Sequence, residues 1–113
     1  MIQRIDRGTR MSAAVVHGDT VYLSGQVSGD ASDVAGQTRQ ILAKIDALLA
    51  QAGTGKSKLL MANIWLRDIV TFDQMNAVWD AWIDPSNPPA RATVESHLAT
   101  PKYLVEIAAI AAI

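Results

Sequence analysis

The last ten residues of the chain, Leu104 to Ile113, constrain its fold more than any other segment. They are apolar apart from Glu106, and their alanine, isoleucine and valine content is typical of a strand that is buried on both faces. The run is about half as long as a bilayer-spanning helix requires. It therefore predicts a strand in the core or at a subunit interface, with one carboxylate in an apolar setting.

This carboxylate requires a partner, because a charge buried alone carries a large desolvation penalty. The cation that fits by position is Arg91, in the preceding strand candidate, Pro88 to Glu95. If that segment folds back antiparallel about residues 97–101, Arg91 and Glu106 come to lie opposite each other on one face of a sheet. They would form either a structural ion pair or an anion receptor beside a general base, and the pattern alone leaves both open.

The composition indicates one globular domain, residues 1–113, and disfavours several kinds of site. Half of the residues are hydrophobic and the formal net charge is -1 with no basic run, so we expect no nucleic-acid partner and no membrane partner. There is no cysteine, and His17 and His97 lack metal-ligand spacing, so we expect no metal site. Charges in the first eight residues do not fit a signal peptide, which favours a cytoplasmic protein.

Local patterns predict a hairpin followed by a helix. Segments 12–17 and 20–24 are rich in small and β-branched residues and flank Gly18-Asp19, whose glycine permits a type II′ turn. An apolar stripe at three- and four-residue steps then predicts a helix from about residue 33 to residue 51. Ser32 is the expected N-cap of this helix.

A strand and a second helix are predicted next. The apolar segment 59–66 is typical of a central strand. Thr71 to Gln74 matches a capping box, and Val70 could pack against Met75 as a hydrophobic staple, so the helix is expected to begin directly after Thr71. Asp84-Pro85 prevents this helix from continuing.

The predicted order is strand, hairpin, helix, strand, helix, strand, strand, which indicates an α+β sandwich. One mixed sheet would carry both helices on one face. The apolar content of the predicted strands is too large for the other face to be solvated. We therefore expect that face to be buried against copies of the same chain in a closed homo-oligomer.

Several segments along the chain carry a resemblance to a known family: Tyr22-Leu-Ser-Gly-Gln26, Gln37-Thr38, Ile45-Asp-Ala-Leu-Leu49, Met75-Asn-Ala-Val-Trp79, Pro89-Ala-Arg-Ala-Thr-Val-Glu95 and Val105-Glu-Ile107. In these segments the chain resembles the RidA or YjgF-type family of reactive intermediate deaminases. Its sequence is most similar to the short YoaB-like branch of that family. The specific part is Pro-Ala-Arg followed by a strand whose glutamate lies fifteen residues after the arginine.

The resemblance implies a chorismate-mutase-like fold, a homotrimer with sites between subunits, and no cofactor. The implied reaction is hydrolysis of 2-imino acids or their enamines to 2-keto acids and ammonia. Matched position by position, Arg91 corresponds to the arginine that grips the substrate carboxylate, and Glu106 corresponds to the glutamate that handles the attacking water. Ser24, Asn76 and Thr93 match positions that line the pocket. A planar guanidinium and a carboxyl group suit these two roles.

The chain also departs from the family pattern, and other functions stay open. Met11 stands where many members have a pocket tyrosine, so the pocket loses a phenol hydroxyl, and Thr93 stands where some have cysteine. The alternative to a deaminase is a trimer that binds a small carboxylate without turnover, or that acts as a regulatory or chaperone-like protein. A third possibility is hydrolysis or rearrangement of another carboxylate substrate.

Overall fold

The computed structural model covers residues 1–113 and contains one six-stranded sheet and two α-helices. The strands are β1 (Ile2–Arg7), β2 (Ser12–His17), β3 (Thr20–Gln26), β4 (Leu59–Leu66), β5 (Ala90–Glu95) and β6 (Val105–Ala112), and the helices are α1 (Val34–Gln51) and α2 (Phe72–Trp82). This order confirms the predicted succession of elements and the α+β class.

The strands lie in the order β1-β2-β3-β6-β4-β5, so the apolar C-terminal run is a central strand. β6 is antiparallel to both of its neighbours, β3 and β4. β5 is parallel to β4 and lies at the edge of the sheet. The predicted antiparallel pairing of the Arg91 strand with the terminal strand is therefore wrong. The unit β4-α2-β5 is a crossover that makes β4 and β5 parallel neighbours, which leaves the other side of β4 for the more apolar β6.

Both helices pack on one face of the sheet. Alternate residues of β6, namely Val105, Ile107, Ala109 and Ala111, are buried beneath them. The apolar stripe of α1 supplies most of the helical part of this core, in Val34, Ile41, Leu42, Ile45, Leu48 and Leu49, as its three- and four-residue steps predict.

The other face of the sheet is also apolar, and nothing in the chain covers it. We call it the open face and define it by Val15, Tyr22, Met61, Trp65, Val94, Ala108 and Ile110. Tyr22 is 47% exposed and Val94 is 50% exposed, high fractions for large apolar side chains on a sheet. The prediction of helices on one face and a bare apolar face opposite is thus confirmed.

The predicted hairpin is confirmed, whereas the predicted cap of α1 is wrong by one residue. His17 pairs with Thr20 across the two-residue loop, and Gly18 has a φ of +62°, as the first turn position requires. At α1 the cap is Asp33, whose Oδ1 accepts a hydrogen bond of 3.0 Å from the backbone N–H of Gly36. Asp33 has the extended backbone of an N-cap residue.

The second helix begins at Phe72 as predicted, but by a different local mechanism. A 3₁₀ turn, Ile69–Thr71, precedes it, and the Thr71 hydroxyl donates to the carbonyl oxygen of Asp68 at 2.7 Å instead of capping α2. The capping box is therefore wrong. Val70 is 80% exposed, so the staple with the helix is wrong as well.

After the end of α2, the chain makes a turn that is held by the carboxylate of Asp84. The Asn87 side-chain amide donates to Asp84 at 2.9 Å, and the backbone N–H of Ser86 donates to the same carboxylate at 3.0 Å. These hydrogen bonds, with a smaller contribution from Lys56, hold the pKa of Asp84 below its ordinary value. Neither helix combines the length and the hydropathy that crossing a membrane would require.

Candidate functional site

Arg91 lies on the helix side of the edge strand and is held by three residues of α2. It pairs with the buried Ala62 of β4, which places both side chains on the helix side. Its Nη1 donates to Asn76 Oδ1 at 2.7 Å. Its Cζ lies 5.8 Å from the ring centroid of Phe72 and 5.3 Å from that of Trp79. One hydrogen bond and two cation–π contacts therefore fix the plane of the guanidinium.

Thr93 lies two residues further along the same side of β5. It pairs with the buried Ile64, and its own Oγ1 is buried without a hydrogen-bond partner in the chain. Buried hydroxyls nearly always have a partner. The hydroxyl of Thr93 is therefore available to a group that the single chain does not supply.

Glu106 lies on the open face, opposite Trp65 of β4. Its carboxylate packs against the backbone of Gly25, where a Cβ atom would overlap Glu106 Oε2. Gly25 and Ser24 form an irregularity in β3, between Leu23 and Gln26, where the register with β6 shifts. The missing side chain of Gly25 therefore makes the space that the carboxylate fills.

Ser24 belongs to the same half of the molecule as Glu106. Its Oγ and its backbone carbonyl both accept from Gln26 Nε2, each at 3.1 Å. Ser24 directly precedes Gly25, the residue against which the carboxylate packs. Met11, the expected replacement for the pocket tyrosine, is 57% exposed just before β2.

The predicted residues thus fall into two groups that do not meet within one chain. Arg91, Asn76 and Thr93 lie on the helix side at the sheet edge, whereas Glu106 lies on the open face. β4 separates β5 from β6, so the two strands are about 10 Å apart. The expectation that Arg91 and Glu106 share one sheet face is wrong, because it assumed that their strands are neighbours.

The sequence pattern does not single out two residues that bear on the Glu106 half of the site. They are Gly25, against which the carboxylate packs, and Gln37, whose amide hydrogen-bonds Lys102 and Leu104 just before β6. Both stand in segments that carry the family resemblance, but neither bears a chemical group that suggests catalysis. The signal for Gln37 is its place in the apolar stripe of α1, three residues after Val34 and four before Ile41. A polar residue at such a position indicates a buried hydrogen-bonding role.

The larger concavities of the chain are not lined by any of the predicted site residues. One, of about 550 Å³, lies between the two helices and is lined by Leu42, Lys56 and Trp82 among others. Another, of about 600 Å³, is lined by residues that include Arg67 and Glu95. A single chain therefore does not enclose the predicted residues in a pocket. No group of three or more histidine, aspartate or glutamate side chains is placed to hold a metal ion.

Comparisons with known proteins agree over nearly the whole chain. The family model described as Endoribonuclease L-PSP matches residues 1–113. The RutC family protein YoaB of Escherichia coli K12 is 43% identical over 112 residues, which is 99% of this chain and 98% of that protein. A YjgF family member from Neisseria meningitidis superposes with a TM-score of 0.98 at 41% identity, covering 99% of this chain and 94% of that one. RidA from an Antarctic Psychrobacter gives a TM-score of 0.86 at 32% identity, covering 94% and 89%.

Proposed function

Because the chain belongs to the YjgF/RidA family, we propose that it hydrolyses reactive 2-imino acids and their enamine tautomers to 2-keto acids and ammonia. The observation that carries the proposal is that the chain holds two functional groups in fixed positions. Side chains of α2 contact the guanidinium of Arg91, and the carboxylate of Glu106 packs against Gly25. The formal net charge of -1 gives no electrostatic support for the RNA substrate that the family's description suggests.

Arg91 is the proposed receptor for the substrate carboxylate. Its hydrogen bond to Asn76 uses one N–H, and its contacts with the Phe72 and Trp79 rings use none, so other N–H donors stay available for two parallel hydrogen bonds. Such a pair of bonds fixes the adjacent C=N carbon in space. The unpartnered hydroxyl of Thr93, on the same side of β5, is a further polar contact for the substrate.

Glu106 is the proposed general base and then the general acid. It removes a proton from water as the water oxygen attacks the imine carbon, and it delivers that proton to the imine nitrogen, which gives a neutral carbinolamine with one hydroxyl and one amino group. It then takes the proton of the carbinolamine hydroxyl and passes it to the amino group, so the C–N bond breaks and ammonia leaves as the carbonyl forms. One carboxyl group can perform both transfers in turn, and such catalysis contributes about 10²- to 10⁴-fold in rate.

The two groups would act on one substrate only if different subunits supply them. Within one chain they lie on opposite faces of the sheet, with β4 between their strands. The open face is apolar and uncovered, and the edge strand with Arg91 borders it. We therefore propose that Arg91 of one subunit and Glu106 of the next share each site, in the homotrimer that the family resemblance implies.

The first test is turnover of imines in a coupled assay. An amino-acid oxidase generates 2-imino acids, and semicarbazide traps those that survive. Wild type should lower the trapped signal, Arg91→Ala should lose about 100-fold or more in kcat/KM, and Glu106→Gln should lose about 100-fold or more in kcat. Arg39→Ala, on the exposed side of α1, and Glu95→Gln are the matched controls and should keep wild-type rates.

The same assay can contradict the deaminase proposal, and a binding measurement then tests the alternative function. If wild type leaves the trapped signal unchanged for both small and bulky imines, the deaminase proposal fails. If the protein then binds a 2-keto acid, and Arg91→Ala abolishes that binding while Glu106→Gln does not, the chain is a carboxylate-binding protein without turnover.

A second test addresses the shared site. Arg91→Ala and Glu106→Gln chains carrying different affinity tags are expressed together, and trimers that contain both are isolated through the two tags. Each mixed ring would contain one intact site, so about a third of wild-type activity should return. If both residues of a site came from one chain, the mixed trimers would be inactive.

A further inference from the structure

Gln37 is a buried polar side chain in the apolar stripe of α1. It is 1% exposed and lies among core residues such as Val34 and Ile41. An amide buried without partners would be strongly unfavourable. Its presence in the core therefore requires a set of hydrogen bonds, and the chain supplies a complete one.

The Gln37 amide joins two segments that flank the Glu106 half of the site. Its Nε2 donates to the carbonyl oxygen of Ala31 at 3.0 Å and to that of Lys102 at 2.8 Å, while its Oε1 accepts from the backbone N–H of Leu104 at 2.8 Å. Two carbonyls on the nitrogen side and one N–H on the oxygen side leave only one orientation of the amide.

One of the two segments leads into the strand of Glu106, and the other follows the strand of Gly25. Leu104 precedes β6 directly and lies two residues before Glu106. Ala31 lies in the loop that follows β3, and the irregular stretch of β3 contains Gly25. Because the carboxylate packs directly against Gly25, a small change in the spacing of these segments would move it.

The neighbouring Gln40 provides a comparison, because it holds only one of the segments. Its Oε1 accepts from Ser28 Oγ at 2.6 Å and from the backbone N–H of Ala31 at 3.2 Å. Both partners belong to the loop after β3. Gln40 therefore supports that loop without bridging to the start of β6, and Gln37 makes the bridge.

We propose that Gln37 is a positioning residue for Glu106: by joining the loop after β3 to the start of β6, it sets the position of the carboxylate above Gly25. This inference rests on the proposed function for its kinetic consequence, but its structural consequence does not depend on turnover. Gln37 itself is buried among core residues, and its effect is transmitted through the backbone of residues 102–104.

The kinetic test compares Gln37→Met with Gln40→Met. Methionine has a similar length and good helix propensity, so each change removes the amide and keeps the packing. Gln37→Met should lower kcat by about 10- to 100-fold, leave KM within about threefold, and alter the pH–rate profile. Gln40→Met should lower the melting temperature to a comparable extent but keep the wild-type kcat and profile. Gln37→Asn, which keeps the amide but shortens it by one methylene so that it no longer spans both segments, is the second variant if Gln37→Met does not fold, and the same loss of kcat is expected.

An NMR measurement tests the position of the carboxylate without requiring turnover. Glu95 and Glu106 are the only glutamates in the chain, so ¹³Cδ-glutamate labelling gives two carboxyl resonances, which Glu95→Gln assigns. In Gln37→Met the Glu106 resonance should move by more than its linewidth, and in Gln40→Met it should not. If Gln37→Met and Gln40→Met leave the Glu106 resonance equally unchanged, the positioning role is wrong. If wild type has no deaminase activity but this resonance moves, the proposed function fails and the positioning role stands.

Discussion

Gly25 and Glu106 illustrate how, at the residue scale, a missing side chain can set the position of a catalytic candidate. The carboxylate occupies the space that a Cβ of residue 25 would require. On the other side of the sheet, Arg91 is oriented by side chains that are present. Its guanidinium contacts Phe72, Asn76 and Trp79. Neighbouring residues thus hold both groups in place. Catalysis by proximity and orientation requires groups in such a fixed geometry.

The prediction at this scale concerns Gly25→Ala. The added methyl group should push the Glu106 carboxylate away and lower kcat by about 100-fold, with a smaller effect on KM. The matched control is Gly29→Ala, where the nearest atoms belong to the flexible end of Lys102 and can move aside. Steady-state kinetics of both variants check this. A wild-type kcat in Gly25→Ala would show that the close packing has no part in turnover.

At the scale of elements, the two helices begin in different ways. Asp33 caps α1 with a side-chain hydrogen bond to the N–H of Gly36, whereas α2 continues a 3₁₀ turn and has no side-chain cap. This difference matters because α1 carries Gln37 in its first turns and α2 carries the clamp of Arg91. The cap of α1 therefore supports the same region of the chain that positions Glu106.

The prediction for α1 compares two neighbouring polar residues. Asp33→Ala removes the cap and should lower the free energy of unfolding by about 1 kcal/mol. Ser32→Ala, one residue earlier, should change it by less than about 0.5 kcal/mol. Urea unfolding at matched protein concentration measures both, since the proposed assembly would make the apparent stability depend on concentration. A larger loss in Ser32→Ala than in Asp33→Ala would restore the cap that the sequence pattern suggested.

At the scale of the whole molecule, the proposed assembly and the proposed activity both depend on the open face. It presents large apolar side chains such as Tyr22, Trp65 and Ile110 to the outside of the chain. Contiguous apolar surface of this kind marks an interaction site. The same face carries Glu106, so in the proposed trimer the burial of this surface and the completion of the site are one event.

The prediction at this scale is that Ile110→Glu separates the subunits and abolishes turnover together. A second carboxylate at the centre of the open face would be buried without a partner in any assembly that covers this face. Ala43→Glu, on the exposed side of α1, is the matched control and should leave both assembly and rate unchanged. Sedimentation velocity and the coupled assay are run on the same samples. Full activity in a monomeric Ile110→Glu would contradict the shared site.

Local residue patterns were enough to predict the succession of elements, the buried stripe of α1 and the burial of the last strand, because these follow from periodicity and composition within ten to twenty residues. It also singled out Arg91 and Glu106 as charges in strands, and the resemblance attached roles to them. These signals are local, so they can be read from the sequence without knowing which strands are neighbours.

The arrangement of those residues depends on the packing of the whole chain. Strand order depends on the crossover through α2, which put β4 between Arg91 and Glu106 and placed them on opposite faces of the sheet. Gln37 and Gly25 gained their significance from partners distant in the chain, at Lys102, Leu104 and Glu106. Periodicity reports which face of an element is buried, but not what lies against it, because pairing between distant segments is set by the packing of the whole chain.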